Sequence, residues 1–352
     1  MQDSIIITQK DLDATPKPRL DSILSTCLQI PRTQALQLIK NQRVTLNDNL
    51  CIKPSTQITL NDTLQISIPN PQPSTNTHMT LDMLIQAKPE FLDISVVYED
   101  NELLILNKPP HIVIHEAPSL KEPTLVDWLK LTQPPIRNLC GDLRYGIVHR
   151  LDRQTSGALA IAKTPHAYNA LSTQLKTREM GRYYLALIDN PLKETTTIEC
   201  YMGRHPKNRL KMAKLAPYEN SQDSKHSALR YSKSIFTPLL DSPKDTLQLI
   251  AIKLFTGRTH QIRAHLESIG RHIIGDTLYG YKGKFEGYRV LLHAYLMYVL
   301  HPDGYNTQDC KKHIFKAPLF ADMLQFLEQY FDKEMLDEVL APKHILDCFT
   351  HF

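Results

Sequence analysis

The stretch GIVHRLDRQTSGALAIAK, residues 146–163, decides how the rest of the chain is read. Its second half, GALAIAK, is an apolar run bounded by polar residues and reads as a buried strand. Its first half sets Asp152 between Arg150 and Arg153, with His149 close by. Thr155-Ser156-Gly157 then turns the chain into the strand. Cations around a carboxylate favour its charged form and lower its pKa. An ionised carboxylate suits a nucleophile or general base and suits a proton donor poorly. Taken alone, the same residues make a surface turn with an ordinary Asp–Arg pair, worth little.

Outward from this stretch the chain alternates irregularly. SVVYED and ELLILNK (95–100 and 102–108) are short strands, and LVDWLKL (125–131) is a short helix. Thr164 and Pro165 supply an N-cap and a first-turn proline for a helix with Ala167, Leu171 and Leu175 on one face. RYYLALI (182–188) and TLQLIAIKLF (246–255) are strands. A further helix starts at Thr259, buries Ile262, Leu266 and Ile269, and ends at Gly270. RVLLHAYLMYVLHP (289–302) fits strand or helix, and KAPLFADMLQFLEQYF (316–331) is a loop entering an amphipathic helix. Residues 91–330 are therefore expected to form an α+β domain with a mixed sheet. Residues 331–352 follow as a helical extension to which no function is assigned.

The N-terminal part has its own pattern. Residues 1–18 are polar and read as a loose leader. Residues 19–68 read as a compact α-α-β unit. Leu20, Ile23, Leu24 and Cys27 share one helix face; Pro31 opens a second helix with Ala35, Leu38 and Ile39. Asn47-Asp48-Asn49 marks a hairpin, and TLNDTLQISI (59–68) suggests another. Residues 69–90, beginning PNPQPSTNTH, read as a linker between domains.

Composition bounds the function. At roughly 100–200 residues per domain, 352 residues suggest about two domains. With 42% hydrophobic and 22% charged residues, wholesale disorder is excluded. A net charge of +4 permits an anionic partner without demanding one. No apolar run approaches the ~18 residues that span a bilayer, and the N-terminus lacks a signal-peptide pattern. The six cysteines are scattered and form no CxxC pair, which fits reduced thiols in a cytoplasmic protein.

Three further segments carry candidate chemistry. In LFTGRTHQIRAHLESIG (254–270), Arg258, His260 and Arg263 crowd a helix N-terminus, where the dipole disfavours cations. The cost disappears if an anion sits opposite, either a carboxylate such as Asp152 or a phosphate. His260 and His265, five residues apart, point to different faces, so no metal is assigned. Tyr183 and Tyr184 must face opposite sides of their strand, so one can pack in the core while the other faces a cleft. Lys108, before Pro109 and Pro110, reads as an exposed, stiff corner that a phosphate could reach.

Taken together and in order, these segments resemble the RluA-like family of RNA pseudouridine synthases, from about Tyr98 to Asp322. His149 to Gly157, HRLDRQTSG, is similar to that family's catalytic motif. Thr256 to Leu266, TGRTHQIRAHL, is similar to its arginine motif. LLHAYLMYVLHP and Ala317-Pro318-Leu319 look like its closing segments. The corner Asn107-Lys108-Pro109-Pro110-His111 and Arg182, where the family has lysine, depart from the pattern. The unit at 19–68 resembles an S4 RNA-binding domain.

The resemblance implies a catalytic domain with a central mixed, mainly antiparallel sheet flanked by helices and loops. It implies that Asp152 begins isomerisation of a uridine, by attack at C1′ or by removing a C2′ proton. Arg263 is implied to pair with that aspartate. Tyr184 is implied to pack against the base and is a candidate for handling the C5 proton. Arg150 is implied to fill the gap left by the flipped nucleotide. His149, Lys108 and Arg258 are read as further RNA contacts, and Arg19, Arg32, Lys40 and Arg43 as a basic face on the S4-like unit. No cofactor and no metal are implied. Large-subunit (23S) ribosomal RNA is the expected target of a monomeric, non-membrane protein, with tRNA as the alternative. Two other classes stay open on the residues alone: a non-catalytic RNA-binding or RNA-folding protein, and a hydrolase using Asp152.

Overall fold

The computed structural model describes residues 2–351 except 14–17, 29–31, 68–79, 117–120, 134–135, 137–144, 216–228, 306 and 308–309. Two compact units are present: Met1–Thr80 with Gln133–Tyr145, and Leu81–Thr132 with Gly146–Phe352.

In the smaller unit the two expected helices are α2 (Leu20–Cys27) and α3 (Arg32–Lys40). Leu20, Ile23 and Leu24 of α2 share a core with Ala35 and Ile39 of α3. The expected hairpin joins β2 (Val44–Leu46) to β3 (Asn49–Leu50). Its turn residues Asn47 and Asp48 both have positive φ, as a tight two-residue hairpin turn requires.

The leader is not loose. Its described residues form β1 (Gln2–Ile6) and α1 (Gln9–Asp13), and β1 pairs along its length with β4 (Thr63–Ser67). TLNDTLQISI is not a second hairpin. The Asp62 carboxylate accepts from the backbone and hydroxyl of Thr59, closing a turn into β4. The strand then finds its partners in β1 and β2. The basic face is also revised. Asp21, buried in the first turn of α2, lies 3.1 Å from Arg19 and 2.7 Å from Arg32. A buried carboxylate needs such partners, so both arginines serve the fold. Lys40 stays exposed and Arg43 half-buried.

Of the expected linker, 69–79 lies outside the described residues. Residues 81–90 fall within α4 (Leu81–Ala87) and a 3-10 turn (Pro89–Asp93), anchored by buried Leu84 and Phe91.

In the larger unit, ten strands form one sheet among the described residues. They are β5 (Ser95–Glu99), β6 (Leu103–Lys108), β7 (Ser156–Ala162), β8 (Gly181–Asp189), β9 (Thr196–Arg204), β10 (Met212–Leu215), β11 (Arg230–Asp241), β12 (Leu247–Leu254), β13 (Leu292–Leu300) and β14 (Lys312–Lys316). The order is β10-β9-β11-β12-β8-β13-β7-β6-β5, with β14 on β13. Neighbours are antiparallel except β7 and β13, which run parallel at His293↔Ser156 and Ala294↔Gly157. The sheet is thus mixed and mainly antiparallel, and the α+β class holds. RVLLHAYLMYVLHP resolves to strand β13. Its close approach to β7 depends on Gly157, which has φ +112°; a Cβ there would stand 2.3 Å from the Ala294 carbonyl oxygen.

Helices α5 (Leu125–Thr132) and α6 (Pro165–Thr177) match their patterns, and Thr164 caps α6 by accepting from the Ala167 amide. Helix α7 (Gln261–Glu267) begins later than expected, with His260 in the left-handed N-cap position instead of Thr259. Helix α8 (Ala321–Tyr330) is followed by α9 (Lys333–Val339) and α10 (Pro342–Asp347). The last two are no appendage: Leu336, Val339, Ile345 and Phe349 share a core with Tyr183, Leu185 and Leu187 of β8.

Candidate active site

Residues 149–155, the loop feeding β7, are clamped from several directions. The Ala160 amide donates to Nε2 of His149 at 3.0 Å. Lys108 donates to the Arg153 carbonyl, and Arg289 to the Gln154 carbonyl. The Gln154 side chain accepts from the Val290 amide. Ser156 meets Nδ1 of buried His293, whose Nε2 faces the Ala317 carbonyl. That carbonyl can only accept, so Nε2 carries the proton and Nδ1 accepts from the hydroxyl. Arg289 is itself held by Asp322.

This clamp changes three expectations. Lys108 is not an exposed corner: it is fully buried and donates to the Pro109, Ile112 and Arg153 carbonyls. Burial, aided by Arg289, pushes its pKa down to about 7. His149 is held against the β7 backbone and not presented to RNA; burial pushes its pKa to about 3, so the ring is neutral. Arg153 pairs with Glu122 at 3.0 Å and not with Asp152. In each case the deciding partner is remote in sequence or a backbone group, which a local charge pattern does not show.

The basic side chains that do face Asp152 come from α7 and its N-cap. Arg263 places Nη1 3.6 Å from Asp152 Oδ2, and His260 places Nε2 3.9 Å from it. Arg263 donates Nε and Nη2 to Asp276 at 2.6 and 2.8 Å and stacks over Tyr279 at 4.7 Å. His260 Nδ1 lies 3.0 Å from the Tyr279 hydroxyl. Burial lowers the His260 pKa, leaving Arg263 as the fixed charge beside the carboxylate. The turn before α7 is shaped by Gln261, whose Oε1 accepts from the Arg258 amide and the Thr256 hydroxyl.

Asp152, Tyr184 and Arg263 line one pocket, with exposed Arg150 and Arg258 also on its wall. Tyr183 and Tyr184 divide as expected: Tyr183 packs on Phe349, ring centres 5.7 Å apart, and Tyr184 faces the pocket. Burial raises the Tyr184 pKa, so its phenol is neutral. Arg19, Arg32, Lys40 and Arg43 belong to the other unit.

Sequence reading missed Asp276, Tyr279, Arg289 and Asp322. GDTLYG reads as an ordinary turn, and Asp276 does cap one, accepting from the Tyr279 amide. RHPKNRLKMAK (204–214) carries a legible signal, five Lys or Arg and no carboxylate. It forms the β9–β10 hairpin, where Arg204, Lys207, Arg209 and Lys214 are exposed. The Met212 amide, at the turn end of the hairpin, donates to the Tyr279 hydroxyl, so that end touches the site.

A carboxylate beside a fixed guanidinium, facing a neutral phenol, is equipped for a nucleophile or base acting on a flat substrate. Residues 102–268 match the family model for RNA pseudouridylate synthase. An uncharacterized RNA pseudouridine synthase of Helicobacter pylori (strain J99) is 47% identical over 94% of this chain and 95% of its own. The chain belongs to the RNA pseudouridine synthase family. Like other members this isomerase acts on RNA, converting uridine to pseudouridine. The synthase is also 32% identical to the ribosomal large subunit pseudouridine synthase D of Xanthomonas campestris, over 82% of this chain and 83% of that one. Human RNA pseudouridylate synthase domain containing 4 shares the fold, with a TM-score of 0.52 at 17% identity over 70% of the synthase and 95% of that chain.

Proposed function

We propose that the synthase isomerises particular uridines of large-subunit ribosomal RNA, with Asp152 as its essential carboxylate. The observation that carries this reading is the shared pocket, in which Asp152 stands 3.6 Å from Arg263 and which Tyr184 also lines. The reacting atoms of a stacked uridine are out of reach, so the nucleotide is flipped into the pocket. Arg150, exposed at the pocket, fills the gap it leaves, and Tyr184 packs against the base. Asp152 then attacks C1′ or takes a proton from C2′; the uracil is freed, turns and rejoins through C5. Arg263 holds the carboxylate in place.

The choice of ribosomal RNA is supported by the similarity to synthase D and by a second unit read as an S4-like RNA binder. There exposed Lys40 and half-buried Arg43 are read as meeting phosphate. The protein is read as a cytoplasmic monomer.

Tritium release from RNA labelled at uridine C5 tests this reading, because C5 loses its hydrogen only on becoming the glycosidic carbon. The expected result is release from unmodified ribosomal RNA by the wild type and none by Asp152→Asn, which still binds RNA. Release only from tRNA would move the target. Free uracil would mark a hydrolase, and binding without release on either RNA would mark a non-catalytic binder.

A further inference from the structure

The larger unit buries three arginines almost fully: Arg182, Arg263 and Arg289. Two hold a carboxylate with two nitrogens, Arg263 on Asp276 and Arg289 on Asp322. Arg182 does not. It is 7% exposed, its Nε is buried without a hydrogen-bond partner, and the groups acting on its charge are Tyr184 and Arg258, neither a carboxylate. A buried guanidinium left unpaired is destabilising in the empty fold. A local rule broken inside a pocket points to a ligand that completes it.

The geometry restricts the ligand. Arg182 lies two residues before Tyr184 on β8, so both project from the same face. Both line the pocket that holds Asp152. The guanidinium sits under Gly257, where a Cβ would come within 2.4 Å of Nη1. Arg150 and Arg258 are exposed on the pocket wall, whereas Arg182 lies deeper, beside the surface offered to the base.

This inference rests on the proposed isomerisation. When the N1–C1′ bond breaks, its electron pair leaves with the uracil, whether Asp152 bonds to C1′ or removes a C2′ proton. The detached base then carries one negative charge, spread over N1, O2 and O4. When C5 bonds to C1′, that pair is used. The carboxylate leaves C1′, or C2′ regains its proton. The C5 hydrogen departs as a proton and N1 takes one up. The negative charge exists only between bond breaking and bond making, where a preorganised donor speeds the reaction instead of merely tightening binding. We propose that Arg182 is a catalytic residue whose guanidinium N–H groups hold the negative charge of the detached uracil.

The test compares wild type, Arg182→Met and Arg182→Lys. Single-turnover C5 tritium release is measured at saturating enzyme, with RNA affinity measured across salt concentrations. Arg182→Met is expected to lose roughly 100-fold or more in rate, with affinity and its salt slope unchanged, and Arg182→Lys to recover part of the loss. The thermal midpoint of Arg182→Met is expected at or above that of the wild type, because an unpaired buried charge is removed. RNA carrying 5-fluorouridine at the target provides a signature that misfolding cannot mimic. The fluorine stabilises the base anion, so the rate of N-glycoside loss, followed by nuclease digestion and mass spectrometry, should suffer less from Arg182→Met. A wild-type rate in Arg182→Met overturns the proposal. So does a salt slope lower by about one with the saturating rate kept, which would make Arg182 a phosphate contact. An equal defect on both substrates overturns it too, making the role structural. A wild type inactive on every RNA removes the isomerase reading and this inference with it; an active wild type confines each other result to Arg182.

Discussion

Arg263 gives Nε and Nη2 to Asp276, at 2.6 and 2.8 Å, and leaves Nη1 3.6 Å from Asp152. The two carboxylates therefore have different duties. The two-pronged bond to Asp276 fixes the plane of the guanidinium. Asp152 receives a charge without being locked into a fork, so its oxygens stay available. Replacing Asp276 by asparagine should free Arg263 to swing toward Asp152 or away from it. The expected outcome is a rate loss of up to about 100-fold from misplacement alone, with RNA affinity kept. Single-turnover tritium release and filter binding check this. A lower melting temperature should accompany it, because Arg263 loses its buried counter-charge.

Gly257 is needed for lack of a side chain, since a Cβ would fall 2.4 Å from the Arg182 guanidinium. Arg182 is enclosed and has little room to yield. Gly257→Ala should therefore displace it and slow isomerisation while leaving the protein folded. Circular dichroism paired with the tritium assay separates the two effects.

The β9–β10 hairpin offers four exposed cations beside the site, Arg204, Lys207, Arg209 and Lys214. Changing Lys207, Arg209 and Lys214 together to glutamine should weaken RNA binding. If all three meet phosphates of a single strand, the plot of log affinity against log salt should flatten by about 2. Titrations at several salt concentrations measure this directly. An unchanged slope would show that the hairpin carries its charge away from RNA.

Buried His265 and His293, with half-buried His149, set the acid limit of stability. Burial lowers the pKa of His149 and His293 to about 3 and that of His265 to about 4. In the unfolded chain each takes its proton near pH ~6.5. Between those values the unfolded state binds more protons, so stability falls as pH drops below ~6.5. Each histidine contributes up to about 1.4 kcal/mol per pH unit. Denaturant melts from pH 7 to 4 should show the decline, and His293→Asn should reduce its steepness by about one proton.

What could be read from the sequence follows the range of each interaction. Asp152, Tyr184 and Arg263 each sit in a segment with its own periodicity or charge anomaly, and the structure brings all three to one pocket. The opposite faces of Tyr183 and Tyr184 follow from strand geometry alone. The surroundings of Lys108 and His149 escape a local reading because they are backbone groups supplied by other segments. Asp276 was invisible for the same reason, since nothing in GDTLYG announces an arginine thirteen residues upstream. Arg19 and Arg32 fit a binding face by pattern, yet both pair with buried Asp21, whose burial no pattern shows. Strand β1 is five residues long, too short for a decisive alternation, and its partner β4 lies some sixty residues on.

The place of β13 has a consequence for how the catalyst comes into being. Strand β7, which follows Asp152, and strand β8, which carries Tyr184, are consecutive among the strands yet never pair; β13 stands between them. More than a hundred residues separate β8 from that wedge. Pairings of such long range form slowly and late. A chain halted during synthesis before Leu292 would therefore hold a carboxylate and a tyrosine that have not yet met. Until β13 is in place, the strands that carry this pocket are not joined in one sheet.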